Sequence, residues 1–218
     1  MAEARLLISS KNYSSWCLRG WLITRLSGLP FREEFVDPED PATRAELLLR
    51  SSSILVPTLI HDGISIWDTL AIAEYLNELR PEAQMLPKDR HARARCRAIS
   101  GEMHSGFAAL RSSLPMNLHA FRPGFTLWSA ARADIERILT IWDACFDTWK
   151  GPYLFGERLC VADAMYAPVV TRFLTYDVAV NPRAARYCQD IMAWPDMAEW
   201  VQAAKQEPQE ITELEVEF

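Results

Sequence analysis

The hydrophobic positions change their period part of the way along the chain. At first, short apolar runs alternate with stretches at helical spacing, the signature of a βαβ unit followed by further strands. Arg5 to Ser9 predicts a strand, and Trp16, Leu18, Trp21, Leu22, Ile23 and Leu26 then recur at roughly helical spacing. That helix is expected to stop at Gly28, a residue suited to the left-handed cap conformation. Phe31 to Val36 predicts a second strand, and after the turn-rich Asp37 to Pro41 a helix is expected through Ala45 to Arg50. Val56 to Ile60 and Ile64 to Trp67 read as two strands around His61-Asp62-Gly63. Thr69 to Leu79, with Leu70, Ile72, Ala73, Leu76 and Leu79 apolar, predicts a helix that ends before Pro81.

From Arg80 to Lys88 the pattern breaks, because Pro81 and Pro87 bracket a stretch that cannot continue a helix. Beyond it every periodic segment is helical: Asp89 to Ser113, Thr126 to Trp149, Val161 to Tyr176, Arg183 to Met192 and Pro195 to Lys205. The expected architecture is an α/β domain over residues 1–80, a linker over 81–88 and an all-α domain over 89–218.

Composition narrows the class. Half of the 218 residues are hydrophobic and only 24% are charged, so the chain can bury a core large enough to offset its conformational entropy. Of the net charge of -6, five units fall on Glu207, Glu210, Glu213, Glu215 and Glu217, which leaves the rest nearly neutral and argues against a nucleic-acid partner. The first residues lack a basic start and an apolar core, and no apolar run is long enough to span a bilayer. A cytoplasmic protein with no membrane partner is expected. Cys17, Cys96, Cys145, Cys160 and Cys188 are scattered and form no C-x-x-C pair, so reduced thiols and no metal site are the expectation.

Two places suggest recognition. Val56-Pro57 opens a strand with a residue that has no N–H; a cis bond and a turn there would leave the Val56 backbone groups free to pair with an extended, peptide-like ligand. Asp68-Thr69 then begins a helix, whose positive end and the Thr69 hydroxyl suit a carboxylate while the Asp68 carboxylate suits an ammonium. Together these positions fit a short zwitterionic peptide. An edge-strand proline and a plain helix cap account for the same residues.

The order of motifs is more specific than any one of them. Serines before the first helix, Val56-Pro57-Thr58-Leu59, the acid-hydroxyl pair Asp68-Thr69 and a helical second half resemble the cytosolic glutathione transferase superfamily. Phe155-Gly156-Glu157 followed by Val161-Ala162-Asp163-Ala164 is similar to the family's capping-box motif. The likeness extends over nearly the whole chain and is nearest to bacterial members of the serine-type branch, by the zeta class of maleylacetoacetate isomerases. It implies a thioredoxin-like first domain that binds glutathione as co-substrate along Leu55, Val56, Pro57, Asp68 and Thr69, and a helical domain that receives a small electrophile. It also implies a homodimer and a detoxification role.

The chemistry implied is thiolate addition or thiol-dependent cis–trans isomerisation, so a hydrogen bond to the glutathione sulfur is needed. With Trp16 and Arg19 set on the family's W-x-x-R, Asn12 stands where the zeta-type hydroxyl falls, while Ser14 and Ser15 lie closer to the helix. Ser14 is the first candidate, Asn12 the second and Ser15 the third; helix capping by either serine is compatible with the same positions. Ile54-Leu55 replaces the family's usual Gly-Lys pair, and Cys160 replaces the usual capping hydroxyl, which leaves Asp163 to satisfy that helix start. Met103, His104, Phe107 and Arg111 are candidates for the electrophile pocket, although Met103 and Phe107 at one-turn spacing equally suit a core. These departures keep a second reading open, a glutathione-binding stress or interaction protein with little catalysis. A thiol peroxidase or disulfide reductase using Cys17 is the third reading, weaker because that cysteine lies one residue past Trp16.

Overall fold

The computed structural model describes residues 4–37 and 55–207. The helix expected over Ala45 to Arg50, Ile54 and the acidic residues beyond Glu207 lie outside the described residues.

The first part is a four-stranded sheet in the order β2-β1-β3-β4. Strand β1 (Ala4–Ile8) is central and has almost no polar face: Ala4, Leu6, Leu7 and Ile8 are all buried. It pairs in parallel with β2 (Phe31–Phe35) and antiparallel with β3 (Thr58–His61), which pairs with β4 (Ile64–Ile66) through a turn at Asp62-Gly63. Both turn residues have positive φ, as a tight hairpin matched to the twist of its strands requires. On the outer edge, Arg32, Glu33 and Glu34 of β2 place charges along a strand that would otherwise invite further pairing.

Helix α1 (Ser15–Ser27) begins at the Ser14 cap and ends at Gly28, which takes the left-handed conformation. It lies between the two halves of the molecule, against α2 (Thr69–Leu79) on one side and the later helix Val161–Thr175 on the other. This position explains its burial on nearly every face, including that of Arg19. Gly20 is required by that packing. A Cβ at Gly20 would come within 2.5 Å of the Pro57 ring, so only glycine lets α1 approach the start of β3.

After a short 3₁₀ turn (Pro81–Ala83) come α3 (Arg90–Ser105), α4 (Ala108–Ser113), α5 (Ser129–Thr148), α6 (Val161–Thr175), α7 (Pro182–Met192) and α8 (Pro195–Ala204). Helix α6 is mostly apolar and buried over almost its full length. Trp142 of α5 fills the adjoining core, with ring centroids 4.8 Å from Tyr187 and 5.6 Å from Phe173.

Two expectations are corrected. The helix expected as one piece from Asp89 to Ser113 is two, because Phe107 has a φ of 55° and the new helix draws a cap from elsewhere, Asp134 Oδ2 accepting the Leu110 N–H at 2.9 Å. The strand expected from Val56 to Ile60 starts only at Thr58 and extends through His61. Among the described residues, no helix is long and apolar enough to cross a membrane.

Candidate functional site

The loop from Ser10 to Ser14 joins β1 to α1. Ser14 Oγ accepts the Cys17 N–H at 3.3 Å, which caps the helix. Ser15 is buried at the first helical position, and its carbonyl accepts from Arg19 Nη1. Asn12 is buried too. Its Oδ1 accepts the N–H groups of Leu118 at 2.6 Å and His119 at 3.3 Å, so its side chain ties the loop to the segment between α4 and α5. Cys17 is fully buried, and burial pushes its thiol above the ordinary value, the reverse of what a nucleophile needs.

Across α1, the Val56-Pro57 peptide bond is cis, as is Trp67-Asp68. Leu55 is exposed, and its carbonyl accepts the Thr58 hydroxyl at 2.7 Å. Asp68 caps α2: one carboxylate oxygen accepts the Leu70 N–H at 2.9 Å and the other lies 2.8 Å from His104 Nε2. Thr69, the first residue of α2, is completely buried, and its hydroxyl has no hydrogen-bond partner. Such a group in a protein interior calls for an explanation.

The same contact joins the two halves of the molecule. His104 on α3 packs edge-on against Trp16, and Trp16 also carries the guanidinium of Arg19 at 4.6 Å and that of Arg111 at 5.4 Å from its ring centre. Arg19 Nε donates to the Met165 carbonyl at 2.7 Å, while its Nη2 is buried without a partner. Burial first, then the nearby positive charges of Arg172 and Arg111, drive the Arg19 pKa well below its usual range. Burial and the Arg111 charge bring Arg172 down to about 10. Met103 is fully buried and Phe107 nearly so, both within the hydrophobic core.

The structure therefore brings Trp16, Asp68, His104 and Arg111 into one chain of contacts across the two halves, and Ser14 is not part of it. The sequence placed Trp16 and Arg19 next to this loop, as the W-x-x-R, without giving either a role, and it showed Glu207 only as one of the acidic residues near the end of the chain. Arg19 left a signal, an arginine among the apolar residues of a helix buried on nearly every face. Glu207 left none, since its partners are almost the whole chain away in sequence. Among the described residues, no three His, Cys, Asp or Glu side chains are grouped to hold a metal ion.

Comparison with known proteins agrees with this geometry. Residues 13–79 match the description "Glutathione S-transferase, N-terminal domain" and residues 90–203 match "Glutathione S-transferase, C-terminal domain". A probable glutathione S-transferase of Solanum tuberosum is 35% identical over 204 residues, covering 90% of this chain and 86% of that one. A probable maleylacetoacetate isomerase of Caenorhabditis elegans is 28% identical, covering 77% of this chain and 78% of that one. Among solved structures, a glutathione transferase homologue from Burkholderia with bound glutathione is 26% identical and superposes with a TM-score of 0.72, covering 94% of this chain and all of that one (100%). With family domains matched across both halves and the fold shared end to end, the chain belongs to the glutathione S-transferase family.

Proposed function

We propose that the chain is a glutathione-dependent enzyme, adding the glutathione thiolate to a small electrophile or using it for cis–trans isomerisation. The observation that carries this reading is the buried, unpartnered hydroxyl of Thr69 at the start of α2, beside the Asp68 carboxylate. A γ-glutamyl group supplies what Thr69 lacks: its carboxylate accepts from Thr69 and from the helix start, and its ammonium adds a donor to the half-exposed Asp68 carboxylate. The peptide part then extends along Leu55, Val56 and Pro57, and the sulfur reaches the loop of Asn12, Ser14 and Ser15.

Within that loop Ser14 is the donor to the thiolate. Its hydroxyl stands at the cap of α1 and can turn its proton to a ligand, whereas Asn12 is buried with its Oδ1 held by the segment at Leu118 and His119. Residues 1–80 form the glutathione-binding domain, 81–88 the linker and 89–218 the electrophile-binding domain. His104 and Arg111 stand where the electrophile enters, with Met103 and Phe107 as part of the core packed behind them. The uncompensated positive charge of Arg19, Arg111 and Arg172 favours an electrophile that carries a carboxylate. As part of the same reading, the protein acts as a cytoplasmic homodimer in detoxification.

The reading is tested by titrating glutathione calorimetrically and then measuring turnover with a generic electrophile. Ser14→Ala is expected to lower the rate at neutral pH roughly ten- to hundredfold and to raise the pKa of the bound thiol. Asn12→Ala is expected to leave that pKa near the wild-type value. Absence of glutathione binding in the wild type overturns the reading, and a reversed ranking moves the donor role to Asn12.

A further inference from the structure

The loop that carries Ser14 is held from the other end of the chain. Glu207 follows α8, and its carboxylate turns into the loop: Oε2 accepts from Ser10 Oγ at 2.8 Å and from the Asn12 N–H at 3.0 Å, and Oε1 accepts the Lys11 N–H at 2.6 Å. Two successive backbone N–H groups and a hydroxyl thus converge on one anion, a concave acceptor site of the kind that fixes a local backbone. Adjacent contacts join the same segments. Trp200 Nε1 donates to the Lys11 carbonyl at 2.9 Å, and the His119 ring lies 2.8 Å from the Ala204 carbonyl.

Ser10 passes this contact on to the candidate site. Besides donating to Glu207, its hydroxyl accepts the Tyr13 N–H at 3.3 Å and its carbonyl accepts the Ser14 N–H at 3.0 Å. One residue therefore separates the Glu207 carboxylate from the backbone of Ser14. Without that carboxylate, three donors lose their acceptor, and the turn loses its principal side-chain anchor.

We infer that Glu207 is a positioning residue for thiolate stabilisation: by fixing Ser10, Lys11 and Asn12, it sets where the Ser14 hydroxyl meets the sulfur of bound glutathione. The inference rests on the glutathione chemistry proposed above. It is separable from a plain charge effect because the two have opposite signs. The negative charge of Glu207 is one of the lesser influences, behind burial, that raise the Cys17 thiol. As a bare charge it disfavours any thiolate nearby, and removing it would lower the pKa of a bound thiol; as an anchor for Ser14, removing it raises that pKa.

The test is a pH titration of thiolate absorbance in the glutathione complexes of the wild type, Glu207→Ala and Glu207→Gln, with glutathione affinity and thermal midpoint measured alongside. Glu207→Ala is expected to raise the pKa of the bound thiol by about one unit and to lower kcat at neutral pH about tenfold, with little change in KM for the electrophile. Glu207→Gln keeps one acceptor oxygen on a side chain of the same length and is expected to show a smaller rise. An unchanged or lowered thiol pKa in Glu207→Ala overturns the inference while leaving the proposed function standing. Should that variant fail to fold, Glu207→Gln decides by the same criterion. A wild-type protein that binds no glutathione overturns the proposed function, and this inference with it.

Discussion

Two helices of this protein start with the same kind of sequence and end in opposite states. At the start of α6, Asp163 is fully buried and fully engaged: Oδ1 accepts the Leu154 N–H and the Tyr187 hydroxyl, each at 3.1 Å, and Oδ2 accepts the Cys160 N–H at 2.8 Å. At the start of α2, Asp68 is nearly half exposed, at 45%, and the hydroxyl beside it is buried with no partner. An acid at a helix start is thus one signal with two uses. Where every donor is matched, the group holds the fold together. Where a polar group stays unmatched beside a half-exposed acid, as at Thr69, a ligand can complete it.

The largest effect that tests this contrast is on stability. Asp163→Ala leaves two backbone N–H groups and the Tyr187 hydroxyl buried without an acceptor, and is expected to cost roughly 3 kcal/mol, lowering the thermal midpoint by about 6 to 12 °C. Thermal unfolding followed by circular dichroism measures it. Glutathione affinity of the folded protein should hold. A variant that melts with the wild type would show that α6 does not depend on its closed start, and the contrast would lose its structural half.

The second effect is on binding, in the other direction. Thr69→Val replaces an unpartnered hydroxyl by a methyl of similar shape, so folding stability should stay level or rise. Glutathione affinity is expected to fall by ~1 to 2 kcal/mol, the worth of one hydrogen bond to a charged group. Calorimetry and melting on the same sample read both. Unchanged affinity would remove Thr69 from the site, and lost stability would make its hydroxyl structural, as the Asp163 carboxylate is.

The contrast also shows what the sequence made legible. The ends of α1 and α2 could be read almost to the residue, because capping groups and Gly28 act locally and their signals are local. The break at Phe107 could not, since the cap that rescues the next helix comes from Asp134, more than twenty residues away. Asp68 was readable as a cap, but its second contact, to His104, depends on how α3 lies against the first helices. Arg19 and Gly20 belong to the same class. One is an interior cation and the other a weak helix former, and both make sense only once α6 and Pro57 are packed against α1. Asn12 was legible as a departure from the family pattern, whereas its bond to the Leu118 segment was not. What spacing encodes is readable; what tertiary approach creates is not.

The smallest effect asks what holds the open end of α2 in place. Glu74 on α2 forms a two-pronged pair with Arg97 on α3, at 2.8 and 3.0 Å, and both side chains are 45% exposed. The Arg97 hydrogen bond is the main cause that keeps the Glu74 carboxyl below its ordinary value, with burial opposing it. A carboxyl lowered in the folded state contributes stability above its unfolded pKa, and that contribution is lost as pH falls through the folded value. Because solvent screens so exposed a pair, Arg97→Gln should cost only a few tenths of a kcal/mol at neutral pH and nothing once both states are protonated. Urea midpoints at neutral and acid pH, with and without added salt, measure that difference. Glutathione affinity should not change, since Thr69 and Pro57 are packed around Gly20 and do not depend on a surface ion pair. A loss of affinity in Arg97→Gln would mean that the open start of α2 is set from the domain interface, and the distinction between the two helix starts would fail.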